Sequence, residues 1–266
     1  MTYKLIALDV DGTLLNDEHR LTEQTIQTIR EVHEAGSHIV LCTGRAPAST
    51  VPILQELGLE GTMITHNGAV TVQADERGQA LLHEFSFSLD DIQPMLNDVR
   101  EKGIHFDVCT PFNMYIERLG EYEKAMYKKF LINPKLVTDV SELGMPIVKF
   151  TLFSQPEVLD LVEKDWSERK LYGDLRMIRS GELFIDVMSA EANKGNALKA
   201  LAASWEIDAH EVMAIGNYYN DLEMMAFAGL GIAVDNSPED VKQAADAVTA
   251  SNNEEGVHHA LVRYCL

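Results

Sequence analysis

Long apolar runs are missing from this sequence. None approaches the ~20 residues needed to cross a bilayer, and the chain passes straight into Tyr3-Lys4-Leu5-Ile6 with no signal-peptide core. A soluble, cytoplasmic protein is the expectation. Cations are scarce as well: 22 Lys and Arg stand against 42 Asp and Glu, a formal net charge of -20. The field of such a molecule repels nucleic acid and anionic lipid, so neither a nucleic-acid nor a membrane partner is expected. Any anionic substrate must be held by cations placed locally. Cysteine is limited to Cys42, Cys109 and Cys265, an odd number without the paired spacing of a zinc or redox motif. They read as small buried hydrophobes. What the chain does have is 266 residues, 46% hydrophobic and 24% charged, enough for one large domain or two smaller ones.

The most informative stretch is Lys4 to Leu15. Leu5 to Leu8 is an apolar run of buried-strand type that stops at Asp9, and a second carboxylate, Asp11, precedes the turn residue Gly12. In an extended chain alternate residues share a face, so Asp9 and Asp11 can enter one pocket while Val10 points away. Two acids so close repel, and a divalent cation is the usual remedy.

The rest of the chain repeats this arrangement at intervals. Thr22 caps a helix carrying Ile26, Ile29 and Val32, which Gly36 stops. A second strand, His38 to Cys42, runs into Thr43-Gly44-Arg45, followed by a helix from Pro47 to about Leu57. Thr62 to Thr65 reads as a third strand, and Asn67-Gly68 before Ala69 to Val72 signals a tight hairpin. From about residue 83 to 188 the rhythm changes. Helical segments near 90–102, 121–130 and 156–171 interleave with short strands at 105–109, 113–116, 147–153, 175–178 and 183–187, as in a separate α+β unit. The first pattern then returns. Asn193-Lys194-Gly195 opens a helix to about Trp205, and the strand Val212 to Ile215 ends in Gly216-Asn217-Tyr218-Tyr219-Asn220-Asp221. After a helix to about Ala226, the strand Leu230 to Val234 leads through Asp235 to Pro238, a helix, a strand at Ala247 to Thr249 and a closing helix to Tyr264. The expected fold class is α/β: a doubly wound, Rossmann-like parallel sheet built from residues 1–82 and 189–266, with an inserted α+β cap over 83–188. Loops that follow the strands of such a sheet converge at its carboxyl edge. That would gather carboxylates, a hydroxyl, glycine amides, an amide side chain and Lys194, a set suited to Mg²⁺ and phosphate.

Taken in order, Asp9-Val10-Asp11-Gly12-Thr13, Thr43-Gly44-Arg45, Asn193-Lys194-Gly195 and Gly216-Asn217-x-x-Asn220-Asp221 resemble the four-motif signature of the haloacid dehalogenase superfamily. The insert between the second and third motifs resembles the large-cap, Cof-type sugar phosphatases of that superfamily. The resemblance implies a phosphomonoesterase acting on small phosphorylated metabolites, sugar phosphates above all. Asp9 would then be the nucleophile that becomes an aspartyl phosphate, and Asp11 the general acid and base. It also implies that Val10 (through its amide), Thr43, Gly44, Lys194 and Asn220 hold the phosphoryl group. Mg²⁺ would be held by Asp9, the Asp11 carbonyl and Asn217, with Asp221 directly or through water.

The chain departs from the family pattern at Asn217, where the family most often has aspartate. An amide oxygen can ligate Mg²⁺ but brings no charge. A phosphosugar mutase using the same Asp9 and Asp11, and a regulatory phosphate-binding protein with low turnover, are the alternative readings. Blander readings fit other features. Gly229-Leu-Gly231 lacks the third glycine of a dinucleotide fingerprint, Met224 and Met225 read as core, and the adjacent His258 and His259 lack metal spacing. Arg45 reaches either substrate or a carboxylate. In the cap, Tyr115, Arg118, Lys124, Lys128, Lys149 and Arg179 are candidates to touch the organic half of the substrate, and Asn67 to border the hinge. Cap closure would exclude water and set specificity.

Overall fold

Strand β1 (Leu5–Asp9) is buried at every position, as a strand covered on both faces of a sheet must be. It is followed by α1 (Glu23–Glu34), whose cap Thr22 accepts from the Thr25 amide and whose inner face carries Ile29 and Val32. Next come β2 (His38–Cys42), α2 (Pro47–Glu56), β3 (Gly61–Thr65), β4 (Val70–Asp75) and β5 (Gly78–Glu84). The computed structural model describes residues 3–129 and 133–266. Its contacts divide it into two compact units, Met1–His83 with Ala192–Leu266, and Glu84–Glu191.

The second unit holds α3 (Gln93–Lys102), β6 (His105–Cys109), β7 (Met114–Ile116), α4 (Glu121–Lys129), β8 (Lys135–Leu136), β9 (Lys149–Phe153), α5 (Pro156–Arg169), β10 (Leu175–Gly181) and β11 (Phe184–Ser189). The strands form one sheet in the order β10-β11-β9-β6-β7-β8. Period-two alternation sorts its faces. Phe106, Val108, Phe150, Leu152, Ile185 and Val187 join Leu159, Val162 and Trp166 of α5 in the core of this unit, whereas Asp107, Thr151 and Asp186 stand level with one another on the opposite face.

The chain then returns to the first unit through α6 (Lys194–Ser204), β12 (Val212–Gly216), α7 (Leu222–Phe227), β13 (Leu230–Val234), α8 (Glu239–Ala244), β14 (Ala247–Thr249) and α9 (Gly256–Tyr264). The resulting sheet runs β14-β13-β12-β1-β2-β3-β4-β5. From β14 through β3 the neighbours are parallel, and β3 pairs with β4 antiparallel. The fold is therefore the doubly wound α/β class expected. Leu8 is level with Ile215 on one side and Asp9 with Cys42 on the other. From β1 the chain moves out through β2 and β3, and after the insert it comes back on the other flank, so strand order reverses between β1 and β12. An open parallel sheet leaves a crevice beyond its carboxyl edge at such a point.

Some elements differ from expectation. β5 was not foreseen: six of its seven residues are exposed and it has no apolar face, so periodicity gives it no signal. The two-residue turn at Asn67-Gly68 is a longer loop, with Thr65 paired to Val70 and a 3₁₀ turn over His66–Gly68. Phe130, placed in the helix after Glu121, lies outside the described residues. Among those described, no helix is long and apolar enough to cross a membrane.

Candidate functional site

Asp9 ends β1, Lys194 opens α6 and Asp221 closes the turn after β12, and these three meet. The Lys194 ammonium donates to Asp9 Oδ1 at 2.6 Å and to Asp221 Oδ1 at 2.5 Å. Lys194 and Asp221 have no exposed surface and Asp9 is 5% exposed. Close packing of backbone brings them together. A Cβ on Gly68 (φ +95°) would lie 2.2 Å from the carbonyl of Asn193, and one on Gly216 would lie 2.5 Å from Cβ of Asp221. Glycine at these two positions therefore lets the start of α6 and the Asp221 turn close on β1. Asn193 caps α6 by accepting from the Asn196 amide at 2.7 Å.

Burial, reinforced by the charge of Asp221, pushes the Asp9 carboxyl up to about 6, although Lys194 pulls it down. Burial lowers the Lys194 ammonium, but the charges of Asp9 and Asp221 outweigh this and the net shift is upward. One cation thus serves two buried carboxylates. Asp221 Oδ2 also accepts from the amides of Asn217 (2.8 Å) and Tyr218 (3.0 Å). Asp221, expected in the metal shell, therefore has both oxygens engaged by protein donors and braces Lys194 and the Asn217 loop. Asp9 Oδ2 is different: it is buried and accepts no hydrogen bond from any described residue. A buried carboxylate oxygen without a donor is costly, and a cation would relieve it.

Asp11 stands outside this buried group. Its side chain is 47% exposed, and both its oxygens are taken by Arg45, Nε to Oδ2 at 2.8 Å and Nη2 to Oδ1 at 2.6 Å. Of the two partners the sequence left open for Arg45, the one it has in this structure is a carboxylate, Asp11. Val10, between the two acids, is buried, and its carbonyl accepts from Leu14 (3.1 Å) and Leu15 (2.9 Å), which folds the loop back on itself.

Thr43, 1% exposed, follows β2; its hydroxyl accepts from the Arg45 amide at 3.1 Å and keeps its own proton to donate. Beside it, Gly44 leaves room for Asn67, whose side chain would lie 3.0 Å from a Cβ there. Asn67 Oδ1 accepts from Asn220 Nδ2 at 3.0 Å. The expected phosphate residues Thr43, Gly44 and Asn220 are thus tied into one cluster by Asn67, which the sequence reading had set at a hinge. Asn67 has φ +53°, a conformation asparagine tolerates, and the Asn-Gly pair was the available signal. Asn217 reaches the acid loop, since its side-chain amide would be 2.4 Å from a Cβ on Gly12. Asn236, after β13, donates to the Gly12 carbonyl at 2.8 Å; nothing in its sequence context singled it out.

The oxygen donors here, from Asp9, Asn217 and the loop carbonyls, are the hard set that Mg²⁺ takes. With the donor-free Asp9 Oδ2, the residues present fit that ion. Phosphate would find the Thr43 hydroxyl, loop amides, Asn220 and the buried cation.

The second unit supplies fewer free groups than the sequence suggested. Tyr115 belongs to its apolar core, Arg179 donates to the carbonyls of Gly181 and Glu182, Arg118 donates to the Gly103 carbonyl and Lys124 pairs with Glu121. Lys149 lies 3.8 Å from Asp186. Elsewhere, His258 meets the Thr28 hydroxyl at 2.6 Å, and Met224 and Met225 are core. Cys42 and Cys109 are buried, but Cys265 is only half-buried.

Known proteins resemble this chain along its whole length. The family model of haloacid dehalogenase-like hydrolases matches residues 6–261. Phosphatase YwpJ of Bacillus subtilis is 30% identical, with 97% of this chain and 98% of that protein aligned. A second B. subtilis protein, 5-amino-6-(5-phospho-D-ribitylamino)uracil phosphatase YwtE, is 29% identical over 96% and 95% of the two chains. Among solved structures, that of the subclass IIB sugar phosphatase BT4131 superposes with a TM-score of 0.80 at 25% identity, covering 98% of each chain.

Proposed function

The chain belongs to the haloacid dehalogenase-like hydrolases, and from that premise we propose that it is a Mg²⁺-dependent phosphomonoesterase of small phosphorylated metabolites, sugar phosphates foremost. The observation that carries this reading is the buried Asp9–Lys194–Asp221 group with one Asp9 oxygen left without a donor. Asp9 attacks phosphorus, the bond from phosphorus to the ester oxygen breaks, and Asp11 gives its proton to the departing alkoxide. Water then attacks the aspartyl phosphate, giving up its proton to Asp11, and phosphate leaves with Asp9 restored. Thr43, the Val10 and Gly44 amides and Asn220 orient the phosphoryl oxygens, and Lys194 offsets their charge. Asp9, the Asp11 carbonyl and Asn217 would hold Mg²⁺, which when bound would supply positive charge to offset that of the nucleophile and the phosphoryl group. Asp221 acts indirectly, by fixing Lys194 and the Asn217 loop.

An acid separate from the nucleophile suits a substrate with a poor leaving group, and a sugar alkoxide is one. Two of the proteins named above, YwtE and BT4131, are named as phosphatases of a compound carrying a phosphorylated ribityl chain and of sugars, which supports the same substrate class here. Specificity would come from residues of the inserted unit 84–191. The test is phosphate release from p-nitrophenyl phosphate with and without Mg²⁺, in the native protein and in Asp9→Asn. Normal turnover by Asp9→Asn would sink the nucleophile assignment. Asn217 sustains one second reading, a phosphate-binding protein of low turnover. Phosphate binding without release under any divalent metal would favour it.

A further inference from the structure

We propose that Arg45 is a phosphate-binding residue that exchanges partners, paired with Asp11 in the free site and transferred to phosphoryl oxygens when an anionic ester enters. The proposal rests on the phosphatase reading above and adds a residue and a sequence of events to it.

The geometry of the pair gives the first reason. Arg45 occupies both oxygens of Asp11 through two parallel hydrogen bonds, the fork-to-carboxylate arrangement that suits an ionised acid. With both oxygens accepting from Arg45, neither is turned to a leaving group. Asp11 can serve as an acid only after Arg45 has let go of at least one oxygen.

The second reason is the supply of positive charge. Among the described residues, the permanent cations that hydrogen-bond to Asp9 or Asp11 are Lys194 and Arg45; Arg20, farther along the loop after β1, is exposed and pairs with Glu18. Lys194 is fully buried and already shared by Asp9 and Asp221, so those three groups together carry a net negative charge. A phosphate monoester brings about two more negative charges near neutral pH. Arg45 is the cation that remains, and its side chain is 29% exposed. Its charge is spent on Asp11 only while nothing stronger competes, and a phosphoryl group offers the same fork a denser anion.

Placement supplies the third reason. The Arg45 amide donates to the Thr43 hydroxyl, and its carbonyl accepts from the His66 amide at 2.9 Å. The backbone is pinned next to the proposed phosphate donors Thr43 and Gly44, while the guanidinium lies at a partly exposed ion pair. Movement of that side chain needs no rearrangement of the loop. The exchange would couple arrival of substrate to release of Asp11, so that the acid is freed only when there is an ester to cleave.

Calorimetric titration with inorganic phosphate at fixed saturating Mg²⁺ tests this in a double-mutant cycle of Asp11→Asn and Arg45→Ala, with Arg45→Gln as replacement should Arg45→Ala not fold. If Arg45 must leave Asp11 to bind phosphate, Asp11→Asn tightens phosphate about tenfold when Arg45 is present and by less than about twofold when it is absent. Equal factors in the two backgrounds would overturn the exchange, since they would report only removal of a negative charge. Weaker binding in Asp11→Asn would overturn it too, showing that Arg45 needs Asp11 to hold it in place. A native protein that binds no phosphate overturns the phosphatase reading itself, an outcome distinct from either.

Discussion

Replacing Asp107 by asparagine is expected to stabilise the protein at neutral pH and to leave it unchanged in acid. Asp107 is 4% exposed and stands level with Thr151, which in turn is level with Asp186. Asp186 has the Thr151 hydroxyl at 2.9 Å and Lys149 at 3.8 Å; Asp107 has the weak Cys109 thiol at 3.5 Å, with the Thr151 and Tyr127 hydroxyls contributing as well. Burial therefore dominates and pushes the Asp107 carboxyl from 3.8 up to about 7, with Lys149 opposing and Asp186 adding to the rise. A carboxyl whose proton is held more tightly in the folded state stabilises fully below its unfolded value and loses that contribution as pH rises through the folded value. From pH 4 to pH 7 the native protein pays up to about 4 kcal/mol for the charge it acquires. Asparagine has nearly the same shape and never ionises, so Asp107→Asn should gain roughly 2–4 kcal/mol at pH 8 and nothing at pH 4. The two tryptophans provide the assay, because Trp166 lies in the core of the inserted unit and Trp205 packs on His38 in the other. In a Trp205→Phe background, urea unfolding followed by Trp166 fluorescence reads the inserted unit alone. A gain of equal size at both pH values, or a loss at pH 8, would refute the assignment of burial as the dominant cause.

Three further substitutions probe the other unit. Lys194→Met leaves Asp9 and Asp221 buried without their cation, so it should cost about 3–5 kcal/mol in urea unfolding followed by Trp205 fluorescence, and phosphate release should fall to background. Asn217→Asp adds one negative charge to the proposed Mg²⁺ shell; calorimetry should show Mg²⁺ binding roughly tenfold tighter, about 1.4 kcal/mol, and an unchanged affinity would exclude Asn217 from the shell. Gly68→Ala meets both a φ of +95° and the Asn193 carbonyl at 2.2 Å, so its melting temperature should drop by clearly more than that of Gly36→Ala. Gly36 has a positive φ as well but nothing within 4 Å of its Cβ position, so the excess measures the close approach of α6 rather than the backbone strain of about 1 kcal/mol.

The legible and illegible parts of this molecule differ in what determines them. β1, β2, β12 and β13 are apolar runs that end at polar turns, and burial of both faces leaves little else for such runs to be. Loops after such strands share the carboxyl edge, so the sequence alone brings Asp9 and Lys194, 185 positions apart, to one site. What the sequence withheld depends on single side chains and on backbone at unusual angles. Asn67 enters the cluster because His66 and Asn67 both take positive φ, which turns a nominal hairpin tip toward Gly44. Asn236 becomes relevant only once the loop after β13 is seen to reach Gly12. β5 escaped notice because a strand with no buried face leaves no period to find.

Burial also separates the two acids that open the chain, and this bears on why the site divides its labour as proposed. Spacing made Asp9 and Asp11 equivalent, two carboxylates one residue apart. In the fold, Asp9 is sealed at the end of β1 against a lysine that cannot move without exposing two charges, so its position is fixed, as a nucleophile aimed at phosphorus requires. Asp11 is half exposed and held by one partly exposed arginine, an interaction that a competing anion could break and that could re-form within a catalytic cycle. A proton carrier needs that freedom, because it must face a leaving oxygen in one step and a water molecule in the next. Exchanging the two environments would leave a wandering nucleophile and an immobile acid, and neither half of the reaction would proceed.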